Sequence, residues 1–168
     1  MEICSPLLIT SKNDLILTQP ENKDDESISP LIAFEEPLKQ SFYLGRDPNR
    51  PTFASPDSNR MSFHVVIAEL GVAVVGSPSG RCGVFSLLRT DEWPDRPDGT
   101  YFMRFDWTLP FASEEEDGLR PERKLVGLTA GPVQGQLGAP RLEARRRWRL
   151  MLYYADHSIL SYELGVSD

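Results

Sequence analysis

Phe42-Tyr43-Leu44-Gly45-Arg46-Asp47-Pro48, then Arg60-Met61-Ser62-Phe63-His64-Val65-Val66-Ile67, then Gly76-Ser77-Pro78-Ser79-Gly80 form the stretch on which the reading of this chain turns. An apolar run ends in a Gly-Arg pair. The loop 47–60, with Pro48, Pro51, Pro56, Asn49 and Asn59, separates it from the next run. His64–Leu70 and Val72–Val75 are rich in β-branched residues, which suit strands, and Gly71 between them suits a tight turn. An arginine, a serine hydroxyl and a turn of small residues thus stand at three successive strand ends, where they can converge on one anion.

Outward from this stretch the chain keeps the same rhythm of short apolar runs and turn residues, which predicts an all-β fold. Leu7–Thr10 and Leu15–Thr18 flank Ser11-Lys12-Asn13-Asp14 as a hairpin, and the polar, acidic Gln19–Pro30 reads as a flexible linker. Leu31–Phe34, Phe42–Leu44 and Gly83–Leu88 read as further strands. In Tyr101–Leu109 the alternation places Tyr101, Met103, Phe105, Trp107 and Leu109 on one face, with Phe102, Arg104, Asp106 and Thr108 on the other. Leu125–Leu128 is a candidate short strand between a charged loop, 110–122, and the Gly/Pro-rich Gly131–Pro140. Ala, Arg, Leu and Met would allow a helix over Leu142–Tyr154. The alternation of Trp148, Leu150, Leu152 and Tyr154 favours a strand instead, returning after Ala155-Asp156-His157 through Ser158–Leu164. So many short strands predict a β-sandwich with long loops or a barrel. The organisation expected is an N-terminal hairpin and acidic linker over residues 1–30, then a sandwich over 31–168 with a long loop insertion near 110–146.

The 168 residues suffice for a real core, and 40% hydrophobic with 26% charged residues is ordinary for a globular protein. A net charge of −7 argues against general nucleic-acid binding. The acidic run Glu114-Glu115-Glu116-Asp117 and the arginines 141, 145, 146, 147 and 149 read as solvated surface. Cys4 and Cys82 provide neither a disulfide framework nor metal-ligand spacing. The first residues lack a basic segment and Pro6 breaks a short apolar run, unlike a signal peptide. No stretch reaches the roughly 18–20 apolar residues of a membrane helix. The expectation is an intracellular protein without membrane partners, direct nucleic-acid partners or cofactors.

A phosphate dianion is held by a guanidinium, hydroxyls and backbone N–H groups. Arg46, Ser62, Ser77, Ser79, Gly80 and Arg81 are the right types for that task. In this order they resemble the forkhead-associated (FHA) domain, whose pattern is a strand ending Gly-Arg, a loop ending Ser-x-x-His, a strand pair, then Gly-Ser-x-Asn-Gly. Leu44-Gly45-Arg46 matches the first element. Ser62 stands one residue closer to His64 than the pattern has it, and Ser79 occupies the asparagine position of Gly76–Gly80. The resemblance covers residues 31–90. It implies a β-sandwich of the FHA/SMAD-like type and a binding module for phosphothreonine-containing proteins, serving protein–protein interaction in signalling, in the nucleus or the cytoplasm. By resemblance Arg46 and Ser62 contact phosphate, Ser79 touches the peptide backbone, and Gly45, His64 and Gly80 shape the loops. Arg60 and Arg81 join the candidates on charge alone.

Two other readings start from the same residues. A scaffold of this fold without phosphate recognition would hold a protein partner through aromatic faces around Phe105 and Trp107, or Trp148 and Tyr154. An unrelated β-barrel enzyme would use Cys82 or a serine as nucleophile with His64 or His157 as base. Pro78 stands where a Gly-x-Ser-x-Gly elbow needs its serine, no P-loop lysine follows the later glycines, and no zinc-ligand spacing occurs. The binding module, not an enzyme, is the reading these residues favour.

Overall fold

The computed structural model describes residues 7–18, 30–38, 60–90, 100–111, 124–133 and 147–165. Within these the chain forms β1 (Leu7–Ser11), β2 (Asp14–Thr18), β3 (Pro30–Phe34), β4 (Phe63–Ile67), β5 (Val72–Gly76), β6 (Cys82–Thr90), β7 (Thr100–Leu109), β8 (Leu125–Pro132), β9 (Arg147–Tyr154) and β10 (Ile159–Gly165). They assemble into three antiparallel sheets, β1-β2-β3, β4-β5-β6-β7 and β10-β9-β8. The fold is all-β and sandwich-like. The strand anticipated at Phe42–Leu44 lies outside the described residues.

Local chemistry accounts for several boundaries. β4 stops at Ile67, short of the expected Leu70, because Ala68–Leu70 close one 3-10 turn, with the Gly71 N–H donating to the Ala68 carbonyl at 3.1 Å. Gly71 has φ +61°, in the left-handed region that glycine enters without steric cost. The segment 147–154 is a strand, with Trp148 paired to Leu164 and Leu152 to Leu160, so the alternation outweighs helix propensity. Inside the loop expected near 110–146 stands an eight-residue strand, β8, longer than Leu125–Leu128 and paired with β9. β3 pairs with β2, Leu15 opposite Phe34, so the N-terminal hairpin and the segment after residue 30 share a sheet.

The central sheet, β4-β5-β6-β7, carries a hydrophobic cluster on each face. Ile67, Val74, Cys82, Val84 and Leu109 join Leu125, Leu150, Leu152, Tyr154 and Leu164 of the β8–β10 sheet. On the other face Val75, Phe85 and Met103 join Leu15 and Leu17 of β2, with Leu38 and Met61. Val74 and Val75, and again Val84 and Phe85, are sequence neighbours assigned to opposite clusters, as strand alternation demands.

The single stripe expected along β7 does not form. Val84 pairs with Trp107 but Phe85 pairs with Phe105, so Asp106 is an extra residue in a β-bulge. The bulge reverses the alternation. Tyr101, Met103 and Phe105 fall on the face of Phe85, whereas Trp107 and Leu109 fall on that of Val84. The Asp106 carboxylate accepts hydrogen bonds from the Ser86 hydroxyl and, at 2.6 Å, from Arg104 Nε.

Candidate functional site

The β5–β6 connection is a compact turn. Gly80 N–H donates to the Ser77 carbonyl at 3.1 Å and Ser77 N–H to the Arg81 carbonyl at 2.9 Å, with Pro78 at the second turn position, where its fixed φ is favoured. Gly80 has φ +96°, and its carbonyl accepts the Tyr154 hydroxyl at 3.1 Å. Ser77 is fully buried. Its Oγ accepts the Ser79 N–H at 3.0 Å and lies 2.5 Å from Ser79 Oγ.

These bonds limit what the turn's backbone can offer an anion. The Ser77, Ser79 and Gly80 amides are all consumed inside the turn, so they form no open nest for a phosphate. Side-chain donors at this end of the sheet are the Ser79 hydroxyl and residues on the approach to β4, while Arg81 is half-buried, with its Nε wholly shielded from solvent.

On that approach the Ser62 N–H donates to the Gly76 carbonyl at 3.0 Å, which seats Ser62 against the start of the turn. Ser62 is exposed, and its hydroxyl makes a long, 3.4 Å bond to the Arg60 carbonyl. Arg60 is exposed beside it. Ser62, Arg60, Ser79, Gly80 and Arg81 thus share one end of the central sheet. His64 sits on the edge strand β4, opposite Val75, with an exposed side chain. Gly45 and Arg46 lie outside the described residues.

Two basic residues that sequence reasoning passed over adjoin this end. Met61 N–H donates to the Lys12 carbonyl at 2.7 Å, which brings the β1–β2 turn beside Arg60 and Ser62. Ala155 N–H donates to the Lys124 carbonyl at 2.9 Å, next to the Tyr154 that holds Gly80. Lys12 was legible as a hairpin-turn residue. Its contact with Met61, 49 positions on, has no local signature.

The residues considered for catalysis stand in different surroundings. Cys82 is fully buried, and desolvation pushes its thiol from 9.0 to about 12, so at neutral pH it is a protonated core residue. His157 is exposed at the β9–β10 turn with φ +68°. Among the described residues no three His, Cys, Asp or Glu side chains are grouped to hold a metal ion. No helix among them is long and apolar enough to cross a membrane. Comparison with protein-family models, with curated proteins and with solved structures found no match to this chain.

Proposed function

We propose that this end of the central sheet binds phosphothreonine-containing protein segments, as a non-catalytic module in intracellular signalling. The observation that carries the reading is the Ser62 N–H bond to the Gly76 carbonyl, which seats the backbone of Ser62 against the residue that opens the Ser77–Arg81 turn. Ser62, Arg60 and Arg81 would contact the phosphate, and the Ser79 hydroxyl the peptide backbone. Arg46, outside the described residues, joins them by the resemblance alone.

Paired libraries of phosphorylated and plain peptides test this. Phosphate-dependent binding is expected, and Arg46→Ala or Ser62→Ala should each weaken it. A charge-assisted hydrogen bond is worth about 1.5–3 kcal/mol, so the arginine variant should lose roughly tenfold or more. Equal binding of both libraries, or none, overturns the reading.

A second reading has one observation behind it. Trp107 is 52% exposed on the edge strand β7. A scaffold blind to phosphate would hold its partner there, and Trp107→Ala would abolish binding to both libraries alike. Trp148 and Tyr154, the other aromatic pair, pack in the core instead.

A further inference from the structure

A sheet edge presents unpaired N–H and C=O groups to any strand that can align with them, and folded proteins blunt such edges with charge, proline, bulges or a covering element. All but one of the edge strands described are blunted in this way. β3 opens with Pro30 and runs into Glu35 and Glu36. β4 carries His64 and stands against β8. β7 is bulged at Asp106, whose carboxylate pairs with Arg104. β8 is bulged between Leu125 and Gly127 and ends on Pro132, and β10 carries Glu163, paired with Arg147.

β1 is the exception. Leu7-Leu8-Ile9-Thr10-Ser11 contains no charge and no proline, and it pairs with β2 without a register shift. Ser11 and Asp14 close a two-residue turn and so form a hydrogen-bonded pair. The backbone of Leu7, Ile9 and Ser11 is thereby directed to β2, and that of Leu8 and Thr10 to the free edge. Among the described residues β1 has no second neighbour. Leu8 packs inward, so Leu7 and Ile9 point outward, and they are 46% and 41% exposed. Ile9 continues across the sheet into Ile16 and the exposed Ala33.

We propose that β1 pairs edge to edge with β1 of a second copy of this chain, antiparallel about a two-fold axis at Ile9. That register overlaps all five residues. Leu7 lies opposite Ser11 of the partner subunit, Leu8 opposite Thr10 of the partner subunit, and Ile9 opposite Ile9 of the partner subunit. The edge-facing groups of Leu8 and Thr10 then bond to one another, and the Ala33-Ile16-Ile9 rows of the two copies join into one apolar strip. A second copy is the occupant the charges favour. A chain of net charge −7 repels itself over most of its surface, but Leu7–Ser11 is neutral, so no like charges meet along this pairing. An isologous contact of this kind closes at two copies. Five residues a side bury less than the roughly 1,200 Å² of a stable interface, so the dimer is reversible and concentration-dependent. Its formation does not depend on phosphate binding.

Sedimentation velocity of the whole chain over a micromolar-to-millimolar series is the test, and the wild type is expected to pass from monomer to dimer. Ile9→Lys and Ile9→Glu each set like charges face to face across the axis and should weaken dimerisation by about tenfold or more. An equimolar mixture of the two variants should restore it. Thr10→Pro deletes an N–H that faces the free edge, spares those bonded to β2, and should weaken the dimer as well. Melting temperatures of the variants, measured where the chain is monomeric, should stay near that of the wild type. A wild type that is monomeric throughout the series overturns the proposal, and so does a particle larger than a dimer. Association that survives Ile9→Lys and Thr10→Pro runs through another surface, and a mixture that stays monomeric rules out the axis at Ile9; either result overturns it too.

Discussion

The two faces of the central sheet are built from the same strands by different means. The face toward β8–β10 is mainly aliphatic, and Ile67, Val74, Val84, Leu109, Leu125, Leu150 and Leu152 are almost wholly buried. The opposite face is organised around one aromatic ring. Phe85 meets Phe34 edge-on at 5.3 Å between ring centres and Phe105 at 5.1 Å, and Phe105 itself remains 37% exposed. Its cover, the β1–β3 sheet, is also tied to the central strands by the bond between Lys12 and Met61. One face spreads its packing over many small contacts; the other depends on a hub.

Truncating the hub should cost most. Phe85→Ala is expected to lose about 3–5 kcal/mol and Leu152→Ala about 2–5 kcal/mol, read from urea denaturation. Both clusters draw on β5 and β6, so each variant should still unfold in one transition by circular dichroism and tryptophan fluorescence. A separate early transition in Phe85→Ala would show that the two faces are independent.

A pH scan sharpens the comparison, since among the described residues the one thiol, Cys82, belongs to the aliphatic face. The folded chain holds the Cys82 proton up to about 12, whereas the unfolded chain releases it near 9.0. Below that window the contribution is fully present. Within it the folded state binds a proton that the unfolded state lacks, so stability falls as pH rises, by up to about 1.4 kcal/mol per pH unit. Cys82→Ala should show a correspondingly shallower alkaline loss; parallel curves for the two proteins would contradict the burial of the thiol.

The smallest effect separates the observed β7 from a simple alternating strand. Deleting Asp106 heals the bulge and leaves Phe105 opposite Phe85 and Trp107 opposite Val84. The chain should therefore fold, losing about 1–2 kcal/mol with the Ser86 and Arg104 bonds. Were the whole stripe on one face, the deletion would throw Trp107 and Leu109 to the wrong side and unfold the protein.

That bulge marks where sequence reading ends. Strand existence was legible because Gly71, Asn13 and Asp156 punctuate runs whose alternation is local. One extra residue, Asp106, changes neither composition nor apparent period, yet reverses two side chains. The site divides in the same way. Ser62 and Ser79 were legible as turn residues, and Gly80 as a loop-shaping glycine, without its positive φ. That Ser77 occupies the Ser79 amide, and that Lys12 lies beside Arg60, depends on contacts that no local pattern encodes.

The Tyr154 hydroxyl, bonded to the carbonyl of Gly80, has a thermodynamic consequence for anything that docks there. It anchors the Ser77–Arg81 turn to β9, and the turn's own bonds fix the rest of its backbone. Association is ordinarily opposed by the entropy of ordering a loop. Here these bonds already hold the turn in the free protein, so a ligand that docks on it does not bear the entropy of ordering the turn itself.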